Sequence, residues 1–294
     1  MKQTQLILAL GAMFAASAAM ALPGGFKSNP AGATSVSDQR EAVKHIAATV
    51  EDKGKDAGKA AIYVRDQNAK PSNPNKGLAN NTHVSFAKID RTANNFFVKT
   101  FAKSVLGKDK NGVTVAQLYR MKGVVWDNIP KMPDHSHLGR LSYAKAGNLD
   151  VYFGDWASVP SGAKANTAGT NYTVFYSGTG KTTNLPTGGK ATYAVKGINN
   201  HVSQGTAVLT GNLTADFGAK KLNGTIARPG LSIAINNAAI NTKAASFSGA
   251  AKANNSVNGK THGHFFGNGG AAIAGIADFG KNHKFNTAFG GTKK

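Results

Sequence analysis

The chain has 294 residues, no cysteine, and a formal charge of +21 from 35 Lys and Arg against 14 Asp and Glu. Without thiols there is neither a disulfide nor a cysteine-borne lipid anchor, so the fold must rest on packing and sheet pairing. The charge predicts an anionic partner; the basic residues are mostly single, dispersed lysines behind an export signal, which argues against nucleic acid and for anionic outer-membrane lipid, an acidic receptor or a carboxylate-bearing ligand.

In chain order, Lys2 precedes the apolar run Leu6-Ile7-Leu8-Ala9-Leu10, and a small-residue stretch closes at Ala19-Met20-Ala21. This pattern predicts a secretory signal peptide over residues 1–21. Its apolar part is shorter than the roughly 20 residues that span a bilayer. The mature chain is therefore expected to begin at Leu22 and to be secreted, with no membrane insertion. Asp38-Gln39-Arg40-Glu41 resembles a capping box, and Val43, Ile46, Ala47 and Val50 then recur at helical spacing. Val84-Ser85-Phe86 reads as a strand, and Phe96, Phe97, Val98 and Phe101 form an aromatic cluster with helical spacing. Further strands are expected within 115–125 and 149–153, beside turns at Gly112, Gly123 and Gly147. Residues 22–157 thus read as an α+β or largely β ligand-binding domain.

The stretch "SVPSGAKANTAG" is small, polar and aperiodic, which predicts a linker over 158–170. After it the alternation becomes all-β: Tyr172, Val174 and Tyr176; Leu213, Ala215 and Phe217; Leu222, Gly224 and Ile226; Leu231, Ile233 and Ile235; Ile273, Gly275, Ala277 and Phe279. About eight short strands bounded by Gly, Asn or Pro turns predict a closed eight-stranded antiparallel barrel over 171–294, in a chain that is mainly β.

Three blocks in this second half carry a resemblance: "YSGTGKTTNLPTGGKATYAVKG" (176–197), "TADFGAKKLNGTI" (214–226) and "GHFFGNGGAAIAGIADFG" (263–280). They resemble the C-terminal barrel of the transferrin-binding-protein-like surface proteins. Members of that group are typically lipoproteins carried outward by a dedicated outer-membrane translocon that reads the barrel. Lacking the lipid-bearing cysteine, the chain is similar to the hemophilins, secreted haem-binding proteins with an N-terminal ligand domain and this barrel behind it. The resemblance implies a hemophore that takes haem, from host haem proteins among other sources, and hands it to an outer-membrane haem receptor.

Haem requires an axial imidazole, apolar walls and cations near its propionates. The segment 126–141 offers all three around "PDHSHLG" (133–139). His135 and His137 supply imidazoles; Trp126, Ile129, Met132 and Leu138 supply apolar surface; Lys131 and Arg140 supply cations. Further walls are expected from Tyr119 and the Phe96 to Phe101 cluster. Pro130 and Pro133 stiffen the loop, and Asp134 is placed to orient a ring. Imidazoles two apart in extended chain lie ~7 Å apart on one side, so they cannot grip a flat porphyrin from both faces. A second axial ligand would come from His45 or His83.

Two other readings stay open. Asp134, His135 and His137 are also three zinc donors within four residues. A basic module without cofactor, docking on an acidic host partner, would use the same charge. His262 and His264 repeat the spacing inside a barrel block and are read as strand residues. Enzyme chemistry is not expected: "GTGKT" (178–182) lacks the first glycine of a phosphate loop, no G-x-S-x-G elbow exists, and the acidic residues show no catalytic pairing.

Overall fold

In a computed structural model, residues 24–28, 48–51, 54–64, 82–121, 135–203 and 207–294 are described. The expected signal peptide and capping box lie outside them. The N-terminal half contains β1 (Gly24–Lys27), β2 (Ala48–Val50), β3 (Ala60–Val64), β4 (Thr82–Ser85), β5 (Leu106–Lys108), β6 (Thr114–Gln117), β7 (Arg140–Lys145), β8 (Val151–Ser158) and β9 (Thr170–Gly178). Strands β1-β9-β8-β7-β6-β5 form one antiparallel sheet in that order, and β2-β3-β4 form a smaller one.

Two short helices, α1 (Phe86–Ala93) and α2 (Phe96–Phe101), follow β4. Ser85 Oγ accepts from Lys88 N at 3.0 Å, so the strand expected to include Phe86 stops one residue earlier and a helix starts. Asn95 caps α2 in the same way through Phe97 N. The helix expected to run to Val50 does not reach it, because Ala48, Thr49 and Val50 pair with Ile62, Ala61 and Ala60. The β-branched Thr49 and Val50 favour that extended backbone.

Phe86 leaves the start of α1 and packs on Tyr143, Tyr152 and Phe175, with ring centroids 4.8, 4.5 and 5.9 Å away. Ile62, Val84, Leu138, Leu141 and Trp156 complete this core on one face of the large sheet. The opposite face carries Val151, Phe153, Val174 and Tyr176, which pack on Phe266, Ile276 and Ala288 of the second half.

That second half closes as an eight-stranded antiparallel barrel of β10 (Lys190–Ile198), β11 (Leu209–Asp216), β12 (Lys221–Arg228), β13 (Leu231–Asn241), β14 (Ser246–Ala253), β15 (Val257–Phe266), β16 (Ala272–Asp278) and β17 (Thr287–Lys293). Closure runs through β10 and β17, with Val195 opposite Gly291. Leu213, Phe217, Ile233, Phe247, Phe265 and Phe289 fill the interior. At Gly290 a β-carbon would strike the ring of Phe153, so this glycine lets the large sheet seat against the barrel.

One boundary is corrected. The strand of Tyr172, Val174 and Tyr176 is β9, paired with β8 and β1 of the N-terminal sheet, and the barrel begins at Lys190. Of the expected linker, Ser158 and Thr170 pair as the ends of β8 and β9, and 159–169 form the loop of that hairpin rather than a linker between halves. Alternation on β9 was legible, but its partners are set by long-range pairing that a local pattern does not encode.

Candidate functional site

His135 is half-buried and immediately precedes a 3-10 turn over Ser136–Leu138. Hydrogen bonds from several sides hold this turn. Leu138 N donates to His135 O at 2.9 Å, Trp156 Nε1 donates to Leu138 O at 3.0 Å, and Tyr119 N donates to Gly139 O at 3.2 Å. Gly139 takes φ +69°, and a β-carbon there would collide with the Ala157 carbonyl oxygen, so only glycine fits where the turn meets β8.

Tyr119 is fully buried, and its hydroxyl donates to Gln117 Oε1 at 2.7 Å. Burial pushes its phenol pKa up, so it stays a neutral donor. Arg140, expected as an accessible cation for carboxylates, is instead buried, and its Nη1 donates to Thr167 O at 2.9 Å. Tyr119, Leu138 and Arg140 therefore converge as the frame beneath the turn.

His83 is half-buried on β4, opposite Tyr63 of β3. Its neighbour Val84 shares one apolar core with Leu138, Tyr143, Tyr152 and Trp156. Because Val84 faces that core, the pleat of the strand turns His83, one residue earlier, toward the opposite face. His45, Trp126 and Met132, and the side chain of His137, lie outside the described residues. Phe96, Phe97 and Phe101 do form a helix, but all three rings are exposed and none joins this core.

An unprotonated imidazole next to apolar surface is the chemistry a haem iron and porphyrin require. Among the described residues, no three His, Asp or Glu side chains come together as a metal centre. Asp134, which the zinc reading needs, lies outside them. His262 and His264 lie on β15 as expected for strand residues, and His264 Nδ1 is 2.7 Å from the Tyr176 hydroxyl where barrel and sheet meet. The "GTGKT" stretch ends β9 and turns onto the barrel, with Thr182 Oγ1 donating to Gly267 O at 2.7 Å.

Sequence reasoning missed a buried polar junction between the halves. His201 follows β10; its Nε2 lies 2.6 Å from Asp109 Oδ2, and its backbone N donates to Asp155 Oδ2 at 3.0 Å. Asp155 also accepts from the Tyr172 hydroxyl at 3.3 Å. A lone histidine among asparagines carries no signal that would have found it.

Comparison with known proteins agrees with this architecture. Residues 31–170 match the model of the HphA N-terminal heme-binding domain, and residues 183–293 match that of the HphA C-terminal domain. HpuA from Kingella denitrificans, solved in complex with human haemoglobin, superposes with a TM-score of 0.51 at 17% identity, covering 95% of this chain and 89% of that one. The apo haemoglobin receptor HpuA from the same organism gives 0.51 at 17% identity, covering 95% and 88%. Transferrin Binding Protein B from Haemophilus parasuis gives 0.36 at 17% identity, covering 52% of this chain and 34% of that one. Likeness at this identity speaks to fold alone, whereas the two domain models follow one another along most of the sequence. The chain belongs to the HphA family, and its N-terminal half is that family's haem-binding domain.

Proposed function

We propose that the protein is a secreted hemophore whose haem iron is held by the loop ending at the Ser136–Leu138 turn, through His135 or His137. The observation that supports this reading is the backbone tie of His135 to the Ser136–Leu138 turn, whose Leu138 belongs to one core with Trp156. A second axial ligand would come from His45 or His83. Tyr119, Leu138 and Arg140 act as the frame that keeps the turn in place, while Trp126 and Met132, earlier in the sequence, contribute apolar lining. Bound haem supplies a Lewis-acidic iron and a hydrophobic plate; the protein's part is to bind and release it.

Export through the N-terminal signal and an outer-membrane translocon that reads the barrel, followed by transfer to an outer-membrane receptor, completes the proposal. Host haem proteins are the proposed source, a choice supported by the haemoglobin complex of HpuA. No catalytic role is assigned. Membership of a haem-binding family sets aside the cofactor-free reading.

The test is a hemin titration of the mature chain, following the Soret band in wild type, His135→Ala, His137→Ala and the double variant. Loss of the ligated spectrum in the double variant supports the loop. A double variant with the wild-type spectrum and affinity removes the loop from the site. Ligation needs an unprotonated imidazole, so acid weakens the complex.

A further inference from the structure

Among the described residues, the large apolar side chains left in solvent are Phe96, Phe97 and Phe101, at 80%, 42% and 62% exposure. All three belong to the six-residue helix α2, which has no buried residue of its own. The Phe97 and Phe101 rings touch, with centroids 5.1 Å apart. The aromatic core is complete without them. Exposed rings concentrated on one turn of helix mark a surface that meets something.

The surroundings are cationic. Residues 86–121 carry seven Lys or Arg against two acids, Asp90 and Asp109. Both acids are engaged: Asp90 accepts from the Tyr143 hydroxyl at 2.7 Å, and Asp109 lies 2.6 Å from His201 Nε2. Beside α2 a cleft of about 290 Å³ is lined by Asp90, Asn94, Lys99, Lys103, Lys108 and Thr114, among others. A second cleft of about 230 Å³ shares Lys103 and Lys108. Lys99, Lys103 and Lys108 are all exposed.

We propose that α2 and its lysine collar form a docking surface for an anionic phospholipid bilayer. Phe96, Phe97 and Phe101 enter the boundary between headgroups and acyl chains, and Lys99, Lys103 and Lys108 meet the lipid phosphates. Lysine is depleted at the centres of protein interfaces, whereas apolar rings collared by lysine suit a charged lipid surface. A helix of six residues is far too short to span a membrane, so the contact is peripheral. The inference does not depend on the haem site.

The experiment is flotation of the full mature chain with vesicles of phosphatidylcholine, with and without a quarter of phosphatidylglycerol. Wild type should bind the anionic vesicles at least about tenfold more tightly than the neutral ones. Phe96→Ser/Phe101→Ser and Lys99→Glu/Lys103→Glu should each weaken that binding by about tenfold or more, with thermal midpoints near wild type. The control Lys252→Glu/Lys260→Glu makes the same charge change on exposed positions of the barrel and should stay within about twofold. Wild type indifferent to phosphatidylglycerol, patch variants binding like wild type, or a control that loses as much would each overturn the proposal. The first outcome would leave the patch to an acidic protein partner.

Discussion

His201 is wholly buried, and its Nε2 lies 2.6 Å from Asp109 Oδ2, tying the loop after β10 to the turn between β5 and β6. Asp109 also accepts through Oδ1 from Asn111 N at 2.8 Å and Val113 N at 3.0 Å. One carboxylate therefore shapes a turn of the ligand-binding half and holds the barrel to it. Asp109→Ala removes all three contacts and leaves a buried ring without this acceptor. We expect a loss of about 3 kcal/mol, seen as a thermal midpoint lower by several degrees in calorimetry. An unchanged midpoint would show that the junction is held elsewhere.

Trp156→Phe keeps most of the apolar packing but deletes the donor to Leu138 O. A cost of about 1 kcal/mol in global stability is expected from one buried hydrogen bond. The larger effect should fall on hemin affinity, since the turn that carries His135 loses one of its ties. Equal hemin affinity in titration would separate the turn from the haem site.

Gly139→Ala tests the same turn from the backbone side. The new methyl meets the Ala157 carbonyl at a positive φ, so β7 and β8 must part or the turn must shift. We expect about 2 kcal/mol of destabilisation by urea unfolding, together with weaker hemin binding. Gly112→Ala, also at positive φ but with open space around it, should cost less and leave hemin binding alone.

Burial lowers the His264 imidazole to about 4, with repulsion from Lys181 and His262 adding to it. Below the ordinary histidine value of about 6.5, the unfolded chain takes up a proton that the folded chain refuses. The stability contributed by the neutral ring is thus full above that value and is lost as pH falls toward 4. Its partial exposure limits the loss to about 2 kcal/mol. His264→Gln keeps an acceptor for the Tyr176 hydroxyl and should flatten this part of the pH profile in urea titrations between neutral and acidic buffer. An unaltered profile would assign the acid sensitivity to other groups.

The barrel was the legible part of the fold. Leu213, Ala215 and Phe217, and then Leu231, Ile233 and Ile235, alternate in the sequence and are buried in the barrel interior. The turn residues between them are equally local signals. The N-terminal half was harder because its elements change character within a residue or two. Ser85 ends a strand and caps a helix, and Gln117 ends a strand that continues as a 3-10 turn over Leu118–Met121. At the site, the residue types were readable, but the burial of Tyr119 and Arg140 was not. Their aromatic and cationic side chains suggested contact with a ligand, whereas the Tyr119 hydroxyl turns back on Gln117 two residues away and Arg140 reaches Thr167, 27 residues on. The His201 to Asp109 contact spans 92 residues and depends on how the halves seat, which no local pattern carries.

Strand β9 is buried from Tyr172 to Gly178, with Phe175 facing the aromatic core while Val174 and Tyr176 face the barrel's flank. It works as a party wall: each dwelling leans on it, and neither owns it. Cutting the gene just before this segment would strip one tenant of its β8–β9 ladder and burden the other with an orphaned greasy ribbon. A cut just after it would bare the outer cladding of the cylinder instead. The two halves are therefore inherited as one piece of architecture, and swapping the front module between relatives should succeed only when this shared wall travels with it.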